Sequence, residues 1–202
     1  MQRALIHRFF KELNQELKRP ADVILTGAAA GSLLGVGRSS LDIDFQIKIL
    51  PGKKRTNSFE VRNAIQRAAE KIGIAVNYSE DIGHWSMIDL MDYEKTSLPC
   101  PRVGQLHIRI MAPGHWTIGK MARFLEVDIQ DVQRIIKRRE IKSGDLIPLW
   151  GRAFRSSRLS LELGIFRRNV AYFIKRYGKR VWGKKFGTEK GIALFQSSCG
   201  IK

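Results

Sequence analysis

The chain has 202 residues, enough for one sizeable core or for a domain with a helical appendage. Its formal net charge of +17 is uneven: residues 133 to 202 hold 18 Lys and Arg against 4 acids, a net of +14, which leaves +3 for residues 1 to 132. No run of about 18 uncharged apolar residues occurs, and Arg3, His7, Arg8 and Lys11 break the N-terminal stretch, which argues against a membrane span or secretory signal and predicts a soluble, cytoplasmic protein.

Ala4, Leu5, Phe9, Phe10, Leu13 and Leu17 recur at helical spacing until Pro20 stops the run. "VILTGA" (23 to 28) then reads as a short apolar strand leading into a small-residue helical turn. "LDIDFQIKI" (41 to 49) alternates, with Leu41, Ile43, Phe45, Ile47 and Ile49 on one face and Asp42, Asp44, Gln46 and Lys48 on the other. After the "PGKKRT" loop, residues 57 to 73 form a helix with Asn57 or Ser58 as N-cap and Gly73 at its end. "IAVNY", "SMIDLM" and "QLHIRIMA" are three further strand candidates. From Pro113 onward the pattern is helical: a pair in "PGHWTIGKMARFLE" and "DIQDVQRIIKRREI", then basic amphipathic helices over about 145–158 and 161–182. The tail after Gly183, rich in Gly and Lys, is expected to be irregular. The predicted fold class is therefore α+β: a mixed sheet flanked by helices over residues 1–112, followed by a basic helical part over 113–202.

Chemistry concentrates in Asp42 and Asp44. Carboxylates at i and i+2 of a strand point to one side with Cα atoms about 6–7 Å apart, and they repel unless a cation lies between them. Mg²⁺ takes hard oxygen ligands and is commonly shared between carboxylates and substrate phosphates, so the pair suits a metal-triphosphate site. The alternative is the solvent face of an edge strand. Upstream, "LTGAAAGSLLG" ends a strand at Gly27 and opens a helix whose small residues, including Ala28 and Ser32, allow a phosphate to approach backbone N–H groups. Other phosphate loops fit worse: the lysine of a GxxxxGK[ST] loop is missing, and "GVG" (35 to 37) precedes no helix. Cys100 and Cys199 lie far apart outside any CxxC pair and the four histidines are scattered, which leaves no zinc site, disulfide framework or Cys/His nucleophile in the pattern.

The order strand, Gly27-Ala28, short helix, then Arg38, Ser40 and the Asp42-Ile43-Asp44-Phe45 strand resembles the polymerase-beta-type nucleotidyltransferase superfamily. More narrowly it resembles the AbiEii-like toxin nucleotidyltransferases. Downstream, "MAPGHWTIGKMARFLEVDIQDVQRII" is similar to a second segment of that group, with Lys120, Asp128 and Asp131 on its lysine and paired aspartates. Two departures are Ala28, where the group prefers Gly or Ser, and Gly114, where it has a glutamate. The resemblance implies catalytic roles for Asp42, Asp44, Asp89 and Lys120, with Mg²⁺ on Asp42, Asp44 and a third carboxylate. Asp89 in "MIDLM" is the first choice for that third group and Asp92 the second. It further implies nucleotide contacts from Gly27, Ala28, Ser32, Arg38, Ser40, Asp128 and Asp131. For Lys120 the residues alone allow a surface lysine instead, and for Asp128 and Asp131 an N-cap and N3 pair serving free helix N–H groups.

The basic third offers a surface for a polyanion. Arg134, Lys137, Arg138 and Arg139 cluster on one helix, and Arg167, Arg168, Lys175, Arg176, Lys179 and Arg180 recur on another among aromatics that mostly share its apolar face. Arg138, Arg139, Arg167, Arg168, Lys175 and Arg176 are the candidate nucleic-acid contacts. The expected activity is Mg²⁺-dependent transfer of a nucleotide from an NTP to a hydroxyl, with RNA (a tRNA end among the candidates) as acceptor, in a toxin paired with an antitoxin protein. The alternative is a catalytically degenerate protein of the same fold that binds nucleic acid or docks a partner.

Overall fold

The apolar stripe of residues 3 to 17 forms helix α1 (Arg3–Leu17), which buries Ile6, Phe9, Phe10, Leu13 and Leu17. The computed structural model describes residues 3–36, 42–51, 57–85 and 87–200, which divide into two units. The first comprises Met1–Ile82 and Glu94–Met111, and the second Gly83–Tyr93 and Ala112–Lys202. Residues 83 to 93 thus belong with the helical part.

In the first unit, β1 (Ala21–Leu25), β2 (Asp42–Ile49), β3 (Ala75–Ser79), β4 (Leu98–Pro99) and β5 (Leu106–Ile110) form one mixed sheet in the order β3-β2-β1-β5-β4. The central strand β1 pairs antiparallel with β2 and parallel with β5. Its Ala21, Val23, Ile24 and Leu25 are all buried, as a strand covered on both sides requires. On β2 the alternation holds: Ile43, Phe45 and Ile47 are buried, and the Phe45 ring meets Phe9 and Phe10 of α1 at centroid distances of 5.7 and 5.6 Å. Helix α3 (Ser58–Ile72) lies along α1, capped by the Asn57 side chain and closed by Gly73 in the left-handed region. Arg67 and Lys71 of α3 bind Glu16 of α1, and their hydrogen bonds pull the Glu16 carboxyl down to about 2.

The opposite face of the sheet carries the polar residues of β2. Gln46 is buried because both ends of its amide are used: Nε2 donates to Glu94 Oε1 at 2.9 Å, and Oε1 accepts from the Ile82 N–H at 3.3 Å. Glu94, on the one-turn helix α4 (Tyr93–Thr96), also takes Lys48, and its carbonyl accepts from Arg109 of β5 at 2.6 Å.

The second unit packs α5 (Pro113–Arg123), α6 (Glu126–Arg138), α7 (Ser143–Ser156), α8 (Leu161–Trp182) and α9 (Thr188–Ser198). Trp150 is its largest buried side chain, set edge-on to Phe173 at 5.7 Å, with its indole N–H donating to Thr117 Oγ1 at 2.9 Å. Among the described residues no helix is long and apolar enough to cross a membrane.

Two expected elements differ. The tail after Gly183 is not irregular but contains α9, because Phe186 folds onto Trp182 at 4.8 Å and Phe195 and Cys199 are buried. The fit between α7 and α9 is tight, since a Cβ on Gly151 would lie 2.3 Å from Ser198 Cβ. Conversely "SMIDLM" is not a strand over its described residues, 87 to 91. Asp89 Oδ1 accepts from the Met91 N–H at 2.8 Å, the Asp89 N–H donates to Ser157 Oγ at 2.8 Å, and Met91 and Asp92 have positive φ. These bonds take the backbone donors a ladder would need.

Candidate functional site

Strand β1 stops at Leu25, and Thr26 precedes Gly27, whose φ of +56° turns the chain into α2 (Gly27–Leu33). A Cβ built on Gly27 would lie 1.8 Å from Asp44 Oδ2 and 2.7 Å from its carboxyl carbon. The Asp44 carboxylate therefore fills the space a side chain at position 27 would occupy. Ala28, mostly buried, and Ser32, half-buried, follow within α2.

On the other side of β2 the parallel strand β3 sets Asn77 opposite Asp44. The Asn77 amide Nδ2 donates to Asp42 Oδ2 at 3.1 Å and to Asp44 Oδ1 at 2.9 Å, bridging the two carboxylates. This residue was missed in the sequence. Its only signal there was a polar position in "IAVNY", and the register that makes it face the pair belongs to the sheet. Asp42, Asp44 and the Asn77 amide form a set of hard oxygen donors, because the amide turned through 180° presents Oδ1 in place of its N–H. That chemistry fits Mg²⁺, which supplies charge neutralisation beside a phosphate when bound. Among the described residues no group of three His, Cys, Asp or Glu is placed to hold a metal, and the polar side chain that the neighbouring strand sets against the pair is Asn77.

Replacing Gly27 tests this geometry. Gly27→Ala places a methyl on the Asp44 carboxylate and a side chain in the left-handed region, which costs about 1–3 kcal/mol before any clash. The variant is expected to melt lower than the parent. A melt equal to that of the parent would mean that the turn relaxes without moving Asp44.

Other candidates gather in the second unit. Lys120 is not a surface lysine: its side chain is 4% exposed, and its Nζ lies 2.9 Å from Asp128 Oδ1 and 2.8 Å from Asp131 Oδ2. Nor are the aspartates caps. The N-cap of α6 is Leu125, and Asp128 and Asp131 direct their carboxylates to Lys120, with Arg123 also donating to Asp128 at 2.7 and 3.1 Å. Burial pushes the Asp128 carboxyl up, but the hydrogen bonds of Arg123 and Lys120 outweigh it and hold it below the usual carboxylate range. Lys120 also lies over the Trp116 ring, 4.9 Å from its centroid.

No family model, curated protein or solved structure matches the chain. The functional reading therefore rests on side-chain geometry. The structure brings Gly27, Asp42 and Asp44 together, and separately Lys120, Asp128 and Asp131. Asp89 and Asp92 belong to the second unit, where Asp89 is exposed and caps the Met91 N–H. Arg38 and Ser40 lie outside the described residues. Of the candidate nucleic-acid contacts, Arg138 and Arg139 are exposed on or just after α6, and Arg167, Arg168, Lys175 and Arg176 are exposed on α8.

Proposed function

We propose that the chain is a Mg²⁺-dependent nucleotidyltransferase with a polymerase-beta-type core, transferring a nucleotide from an NTP to a hydroxyl of RNA, as the resemblance to AbiEii-like toxins implies. The observation that carries this reading is the placing of the Asp44 carboxylate against the side-chain-free Gly27, with Asp42 two residues away on the same strand face. A carboxylate pair beside a strand-to-helix turn suits a metal-bound triphosphate, and a side chain at position 27 would displace the Asp44 carboxylate from its place. In the proposed reaction the acceptor hydroxyl attacks the α-phosphorus in line. A new P–O bond forms, the bond to the bridging oxygen breaks, the hydroxyl proton passes to solvent and pyrophosphate leaves. Asp42 and Asp44 would hold Mg²⁺, and Asn77 would fix their rotamers by bonding both. A toxin role, with an antitoxin as partner, is part of the same proposal.

A second reading is favoured by Asn77 itself: an amide in place of a third carboxylate suits a protein that keeps the fold and nucleic-acid binding without turnover. One experiment separates the two. The protein is incubated with Mg²⁺, each α-labelled NTP and total RNA, and the RNA is examined for label. Transfer that is lost on adding EDTA supports the enzyme; no transfer from any NTP supports the binding module.

A further inference from the structure

Helices α6 and α8 frame a groove of about 420 Å³ within the second unit. Four cations line it, Arg134 and Lys137 from α6 and Arg176 and Arg180 from α8, and the only acid on its wall is Glu126. Arg134 approaches Asp131 at 4.0 Å. Lys137, Arg176 and Arg180 make no ion pair or side-chain hydrogen bond with another described residue. Like charges gathered on one groove repel, and a polyanion lying along it relieves that repulsion. Two further groups point past simple charge. Gln133, 8% exposed, lines the groove, and its amide makes no hydrogen bond with another described residue. Its amide nitrogen and oxygen stay within reach of solvent, which leaves both open to a ligand donor or acceptor. Tyr177 adds a half-buried aromatic ring, held from behind by Phe173 at 5.4 Å.

We infer that this groove binds a single strand of RNA. Arg134, Lys137, Arg176 and Arg180 meet successive phosphates, Tyr177 offers a face for a base, and Gln133 bonds a base edge or a ribose hydroxyl. An acidic peptide would satisfy the cations but brings no base to stack on the Tyr177 ring. The assignment differs from the sequence expectation, since of the six contacts named there only Arg176 lines the groove. It deepens the transferase reading by locating the acceptor, and it rests on that reading for the acceptor role alone.

The test is fluorescence anisotropy of the full chain with a labelled 12-mer oligoribonucleotide, without nucleotide, over about 50 to 200 mM salt. Each phosphate contact contributes about 0.7 to the slope of log affinity against log salt for a single strand, so the combined Lys137→Gln, Arg176→Gln and Arg180→Gln variant should lose about 2 from that slope. Gln133→Leu should bind about fivefold to tenfold more weakly with the slope and the melting temperature unchanged. Loss of slope in the triple variant but not in an Arg167→Gln, Arg168→Gln, Lys175→Gln control supports the groove. An unchanged slope in the triple variant, or an equal loss in the control, overturns it. Polyglutamate of matched charge binding as tightly as RNA, with the same loss in the triple variant, would also overturn it in favour of an acidic protein partner. Groove-dependent RNA binding by a protein that labels no RNA would uphold the groove and sink the transferase.

Discussion

Asp44→Asn is expected to abolish nucleotide transfer, a loss of at least a thousandfold, while leaving the protein folded. The carboxylate it removes is the one seated against Gly27, and an amide there offers only a neutral oxygen, which halves the charge that the pair presents to a divalent cation. Stability should stay level or rise. Removing one of two like charges on a strand face relieves their mutual repulsion, and the asparagine Oδ1 can still accept from Asn77, whose amide donates to Asp44 at 2.9 Å. The check is label transfer to RNA alongside a thermal melt. Transfer at the parental rate in a correctly folded variant would remove Asp44 from the reaction. Induced expression extends the test to the toxin role: growth arrest by the parent and none by Asp44→Asn is expected, and equal growth of induced and uninduced parental cells would count against a toxin.

Lys120→Met is expected to be strongly destabilising. Asp128 is 0% and Asp131 3% exposed, and the Lys120 ammonium lies 2.9 Å from one carboxylate and 2.8 Å from the other. Breaking a buried ion pair by removing one partner costs about 3–5 kcal/mol, because the remaining charge stays desolvated. By contrast, the pairs between Lys71 and Glu12 and Glu16 involve a lysine about half exposed, and such surface pairs are worth about 0–1 kcal/mol. The readout is the urea midpoint at neutral pH, compared with Lys71→Met. Equal midpoints for the two variants would mean that Lys120 is not a structural charge. The pH dependence carries a sign. The Asp128 carboxyl is lowered in the folded protein, so its stabilisation is fully present above the unfolded value near 3.8 and is lost as the pH falls through the lower folded value. Lys120→Met should flatten that acid limb.

Much of this was legible in the sequence because it depends on local rules. The alternation of 41 to 49 required that Asp42 and Asp44 share a face, and the strand places them so. Asn57 and Gly73 bounded α3, and Gly27 marked the turn after β1, because capping and positive φ are properties of a few adjacent residues. Helix α8 likewise occupies the stretch its amphipathic pattern indicated. These features need no knowledge of what lies across space.

What tertiary structure alone decided is which polar groups meet. A parallel pairing of β2 with β3 puts Asn77, not an aspartate, against the pair, and register between strands is not written in either strand alone. The apolar run of "SMIDLM" had the composition of a strand, yet local side-chain bonds claimed its backbone and left Asp89 capping its own turn. Lys120 read as a surface cation or a phosphate ligand until two aspartates eight and eleven residues along were seen to close over it. The tail became α9 because Phe186 and Phe195 found apolar partners, a driving force that depends on area buried against distant residues rather than on the Gly and Lys content of the segment. Composition and periodicity determined most of the elements and the pair of carboxylates; long-range packing and strand register decided the rest and what surrounds them.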